Sequence, residues 1–113
     1  METDAALAAL AALSQTTRLA AFRRLVEAGQ AGLPVGELRA CLRLPPATLS
    51  AHLNVLRAAG LVSDEREGRV IRVRADYVRM NALIGYLTEN CCAGEAACLS
   101  DATCTPRRSQ ATR

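Results

Sequence analysis

Leu7, Leu10 and Leu13 recur at the spacing that puts side chains on one helical face. The alanines between them are strong helix formers, so the pattern predicts a first helix over roughly residues 4–13. Ser14 is placed to cap a second helix with the apolar stripe Leu19, Phe22, Leu25 and Val26, ending at Gly29 and carrying Arg18, Arg23 and Arg24 on its other face. Val35, Leu38 and Leu42 mark one side of a short third helix that stops before Pro45-Pro46. Pro46 suits the first turn of a fourth helix, in which Leu49, Leu53 and Leu56 face the core while Thr48, Ser50, Ala51, His52 and Asn54 lie elsewhere around it, and Gly60 ends it.

From Leu61 the pattern changes. Val62, Val70, Ile71 and Val73 are β-branched, and Glu67-Gly68-Arg69 supplies a turn, so residues 61–75 predict a two-stranded hairpin. Asp76 is placed to cap a last helix through Asn90, whose stripe of Met80, Leu83, Ile84 and Leu87 has little chain left to cover it and so suggests a partner subunit. The expected organisation is a domain over residues 1–90, followed by a cysteine-containing segment and flexible tail over 91–113. The fold expected is mainly α with a small β-hairpin wing, a winged helix-turn-helix, because two short helices joined by a tight turn and followed at once by a hairpin are the parts of that fold.

Composition sharpens this. Half of the 113 residues are hydrophobic, enough for one modest core. The net charge of +3 comes from fourteen arginines and no lysines, and the guanidinium fork matches phosphate and guanine. With three aromatic residues, Phe22, Tyr77 and Tyr86, the chain lacks the stacking side chains of a single-strand binder, which favours duplex DNA as partner. Glu2 and Asp4 stand where a secretory leader carries basic residues, and no apolar run reaches membrane-spanning length, so a cytoplasmic protein without a membrane partner is expected.

A helix fits the major groove, about 12 Å wide, and small polar residues let its backbone approach base edges. The candidate DNA contacts are therefore Thr48, Ser50, Ala51 and His52 on the fourth helix, with Pro46 and Ala47 beside them. The hairpin adds Arg66, Arg69, Arg72 and Arg74; Arg72 and Arg74 share a strand face, and Arg69, at the tip, is the leading candidate for a backbone contact, followed by Arg72. His52 is the lone histidine and has no carboxylate at ligand spacing, so it reads as a DNA-facing or packing residue.

The segments Leu13-Ser14-Gln15-Thr16-Thr17-Arg18-Leu19, Leu49-Ser50-Ala51-His52-Leu53-Asn54-Val55-Leu56-Arg57-Ala58-Ala59-Gly60-Leu61-Val62 and Arg66-Glu67-Gly68-Arg69 together resemble the ArsR/SmtB family, over residues 5 to about 90. The resemblance implies a homodimeric transcriptional repressor, not an enzyme. In that family the first and last helices form the dimer interface, and the two recognition helices hold an inverted-repeat operator until an inducer releases them. No cofactor is required.

Two inducer sites familiar in the family are missing. Val35-Gly36-Glu37-Leu38 stands where arsenic sensors carry Cys-Val-Cys, and Tyr77 to Leu87 hold neither histidine nor acid for a zinc site. Cys91, Cys92, Cys98 and Cys104 remain. Soft thiolates select soft ions, and trivalent arsenic takes three sulfurs in a pyramid, a requirement that Cys91, Cys92 and Cys98 meet within eight residues. Thr88-Glu89-Asn90-Cys91-Cys92 resembles the subgroup in which a vicinal pair and one further cysteine after the last helix bind trivalent arsenic. The expected inducer is therefore As(III), with Sb(III) or a methylated trivalent arsenical as alternatives, and Cys104 as a spare ligand. A thiol-redox repressor using the same cysteines is the rival within the class. A small thiol enzyme is the rival outside it, disfavoured because neither a basic helix N-terminus nor a histidine stands near to lower a thiol pKa. Cys41, next to Leu42, is expected to be a small structural hydrophobe.

Overall fold

A computed structural model describes residues 1–91, and they form five helices and a three-stranded antiparallel sheet. The helices are α1 (Thr3–Leu13), α2 (Thr16–Ala28), α3 (Val35–Leu42), α4 (Pro46–Ala58) and α5 (Tyr77–Leu87). The strands are β1 (Leu33–Pro34), β2 (Val62–Glu67) and β3 (Val70–Ala75), in the order β1-β3-β2. A unit formed by Met1–Leu83 carries the helix-turn-helix and the sheet, and a second unit begins at Ile84. The expected winged helix-turn-helix is the fold observed. Among the described residues no single helix is long and apolar enough to cross a membrane.

The core of the first unit is aliphatic. Leu25 of α2, Leu38 of α3, Leu49, Leu53 and Leu56 of α4, Leu61 and Val73 of β3 are fully buried, and no polar or charged residue is buried with them among the described residues. Each leucine at the predicted spacing on α4 points inward, so the helix presents its other side to solvent. Tyr77, at the start of α5, donates its hydroxyl to the Val26 carbonyl at 2.8 Å and ties that helix start to the end of α2.

Several details differ from expectation. The leucines of α1 do share a face, but it is the outer one: Ala6, Ala9 and Ala12 are buried, whereas Leu7 and Leu10 are 58% and 40% exposed. Small alanines let α1 lie close to its neighbours, and α1 and α2 meet at a bend of 102°. Ser14 caps no second helix; its hydroxyl donates to the Ala11 carbonyl, and Gln15 is the N-cap of α2, accepting from the Arg18 N–H at 2.8 Å. Leu19 is exposed rather than part of the stripe.

The hairpin gains a third strand, because Leu33 and Pro34 pair with Val73 and Arg72. Gly32 makes this approach feasible. It sits at φ 66°, and a Cβ there would lie 2.2 Å from the Val73 carbonyl oxygen. Pro34 can join the sheet because β1 is an edge strand, where a missing N–H is tolerated. Helix α5 stops at Leu87, short of Asn90: the N–H groups of Glu89 and Cys91 bond three residues back, to Tyr86 and Thr88, and Asn90 adopts φ 59°.

Candidate nucleic-acid interface and thiol site

Helix α4 begins on Pro45-Pro46, with Pro46 in its first turn and no side chain capping it. With Leu49, Leu53 and Leu56 inward, the helical repeat leaves Ala47, Ala51, Asn54, Val55 and Ala58 outermost, with Thr48 and Ser50 on the flanks. Ala47, Thr48, Ser50, Ala51, Asn54 and Val55 are all exposed. His52 falls nearer the core side and is half-buried. The outer surface is therefore narrow, made mostly of small apolar side chains with Asn54 among them and the short polar Thr48 and Ser50 on its flanks, which leaves room for base edges.

The hairpin stands next in the chain and is tied to this helix. Arg57, in the last turn of α4, holds Asp64 of β2 at 3.0 Å and donates to the Asn54 amide oxygen at 2.8 Å. This tie escaped the sequence reading. Its signal was the i, i+3 spacing of Asn54 and Arg57 followed by an acid at the third residue of the strand.

Pairing of β2 with β3 sets which charges share a face. Ser63 lies opposite Arg74, Glu65 opposite Arg72, and Glu67 opposite Val70, so Glu65, Glu67, Arg72 and Arg74 all stand on one side. The shared strand face expected for Arg72 and Arg74 is observed. Along it, each arginine takes the diagonal acid: Arg72 to Glu67 at 3.1 Å and Arg74 to Glu65 at 3.3 Å. Arg72 also donates to the Ala31 carbonyl at 3.3 Å, which pins the chain before β1 to β3. At the tip, Gly68 at φ 62° makes the two-residue turn with Arg69. Among the described residues Arg66 and Arg69 make no ion pair, and both are exposed. Of the arginines on α2, Arg18 is occupied, donating to the Ala12 carbonyl at 2.7 Å.

Of the expected thiol ligands only Cys91 lies within the described residues; Cys92, Cys98 and the spare Cys104 lie outside them. Cys91 is half-buried, four residues past the end of α5. Cys41 is not the buried hydrophobe expected. Val35, Leu38 and Leu42 share the inward face of α3, and Cys41 lies off it, exposed to solvent.

Residues 13–65 match the family model described as a helix-turn-helix domain. The chain is 39% identical over 71 residues to the HTH-type transcriptional repressor SmtB of Mycobacterium tuberculosis, a match that covers 63% of this chain and 50% of that protein. It thus spans about half the length of that curated relative. Among solved structures it resembles HlyU from Vibrio cholerae N16961, with 31% identity, a TM-score of 0.64 and coverage of 81% of this chain and 99% of HlyU. It also resembles the homodimeric winged helix-turn-helix DNA-binding domain of Mb0332 from Mycobacterium bovis, at 27% identity and a TM-score of 0.60, covering 77% of this chain and 81% of that one.

Proposed function

We propose that the chain is a winged-helix regulator of the ArsR/SmtB family, a homodimeric repressor of operator DNA released when a thiophilic metalloid binds its C-terminal cysteines; the helix-turn-helix match and the similarity to the SmtB repressor support this reading. The observation that carries the DNA reading is the exposed outer surface of α4, built of small side chains with short polar ones on its flanks, beside a hairpin tip whose arginines are free of ion pairs among the described residues. Thr48, Ser50 and Ala51 enter the major groove, and His52 supports them from the margin. Arg69 holds backbone phosphate, and Arg72 joins only when its pair with Glu67 opens.

Dimerisation follows from apolar side chains that the folded chain leaves in water. Leu7 and Leu10 on α1 are exposed, as are Val78, Ile84 and Leu87 on α5, and similarity to the homodimeric Mb0332 domain supports the reading. Two copies then present two reading helices to an inverted repeat.

The inducer reading rests on the sequence, with Cys91, Cys92 and Cys98 as ligands of As(III), or of Sb(III) or a methylated trivalent arsenical. Binding there favours a dimer geometry that no longer spaces the reading helices for the operator, a linkage of a few kcal/mol between two sites. The test is anisotropy of a dye-labelled duplex, selected from a random pool by the reduced protein, titrated with arsenite and separately with peroxide. Release by arsenite supports the proposal. Release by peroxide alone transfers it to thiol oxidation, and equal affinity in every arm removes the inducer mechanism.

A further inference from the structure

The outer face of the hairpin contains its own anions. Residues 62–75 carry four arginines against three acids, a net charge of only +1 for a segment whose arginine content alone reads as a phosphate grip. On that face both arginines are taken, Arg72 by Glu67 and Arg74 by Glu65. The pairs contribute little to folding, because all four side chains remain between 33% and 57% exposed, and exposed pairs are worth only about 0.2–1 kcal/mol. Their larger consequence is for what else these guanidinium groups can hold. A phosphate approaching Arg74 meets the Glu65 carboxylate 3.3 Å from the same nitrogen.

We propose that Glu65 and Glu67 are internal competitors with DNA phosphate for Arg74 and Arg72, which confine the hairpin's backbone contacts to its tip and hold down affinity for duplexes of any sequence. The inference rests on the reading of this fold as a duplex binder. Its physical content is that a paired arginine displaces no counterion from DNA, since its charge is already matched within the protein. Removing the carboxylate frees the arginine to take up a phosphate and adds to the salt dependence.

The test is a cycle in the full chain, reduced, on a duplex of random sequence, with dissociation constants measured across a salt series. Glu65→Gln is expected to tighten binding about threefold, the worth of an exposed pair, and to steepen the log-log salt slope by about one unit. Arg74→Ala in the native background should leave that slope unchanged. In the E65Q background it should erase the gain, and Glu27→Gln, an exposed acid off the hairpin, should leave the slope unchanged. The proposal is overturned if E65Q binds as the native protein does. It is equally overturned if the gain survives in E65Q/R74A, which would mean net charge alone, or if R74A by itself lowers the slope. A native protein that binds no duplex at low salt would instead remove the DNA reading, an outcome distinct from a null E65Q in a protein that does bind. Thermal midpoints of the variants, expected to match the native one closely, exclude misfolding as the cause.

Discussion

Gly32→Ala should be the most damaging single-methyl change in the first unit. An L-residue held at positive φ costs about 1–2 kcal/mol, and the native φ at this position is 66°. The added Cβ would also lie 2.2 Å from the Val73 carbonyl oxygen and 2.8 Å from the Arg74 Cβ. The first of these is backbone in the central strand and cannot turn aside. Relief requires β1 to lift from β3, losing a pairing of two residues whose hydrogen bonds are each worth about 0.5–1.5 kcal/mol. The sum is about 3 kcal/mol, which for a domain of this size corresponds to a fall in melting temperature of roughly 12–24 °C. Circular dichroism melts at one fixed protein concentration read this directly. Gly36→Ala is the control: nothing lies within 4 Å of the added carbon and the site is an exposed helix position, so it should stabilise by about 0.5 kcal/mol. A loss below about 1 kcal/mol for G32A would refute the close approach of the two strands on which the sheet description depends.

Three further expectations follow from named contacts. Arg69→Ala should weaken duplex binding and lower the log-log salt slope by about 0.9, one phosphate contact, as measured across a salt series; an unchanged slope would place the tip away from the backbone. Leu53→Ala, at a fully buried position of α4, should cost about 2–5 kcal/mol in urea denaturation. Tyr77→Phe removes the hydroxyl donated to Val26 at 2.8 Å and should cost about 0.5–1.5 kcal/mol, with the helix content by circular dichroism unchanged.

Helix α4 was legible in the sequence because two independent signals agree on it. Leu49, Leu53 and Leu56 fix its inward face, and Pro45-Pro46 and Gly60 fix its ends, so the structure reproduces both. The hairpin was legible for a similar reason, with β-branched residues on both sides of a glycine turn. Where a single signal stood alone, the reading strayed. Hydrophobicity on α1 pointed to leucine, but close approach selected alanine for the inward face, since a stripe of small residues and a stripe of large ones have the same period. Strand β1 is two residues long and shows no period at all; it exists because Gly32 admits the neighbouring strand. Cys41 stands beside Leu42 in sequence, yet one residue is 100° around a helix, enough to turn it out to water. The charge ladder on the hairpin depends on register, and spacing along one strand does not reveal which acid meets which arginine.

A repressor that holds duplex DNA through α4 and releases it through the C-terminal thiols has two functions that mutation can separate. The most direct measurement compares the native protein with the Cys91→Ser/Cys92→Ser/Cys98→Ser variant, both reduced, on the same selected duplex during an arsenite titration followed by anisotropy. The expected result is equal affinity for the duplex before arsenite, release of the native protein, and no release of the variant. Release of both proteins at the same arsenite concentration would contradict it and place the inducer site elsewhere on the chain.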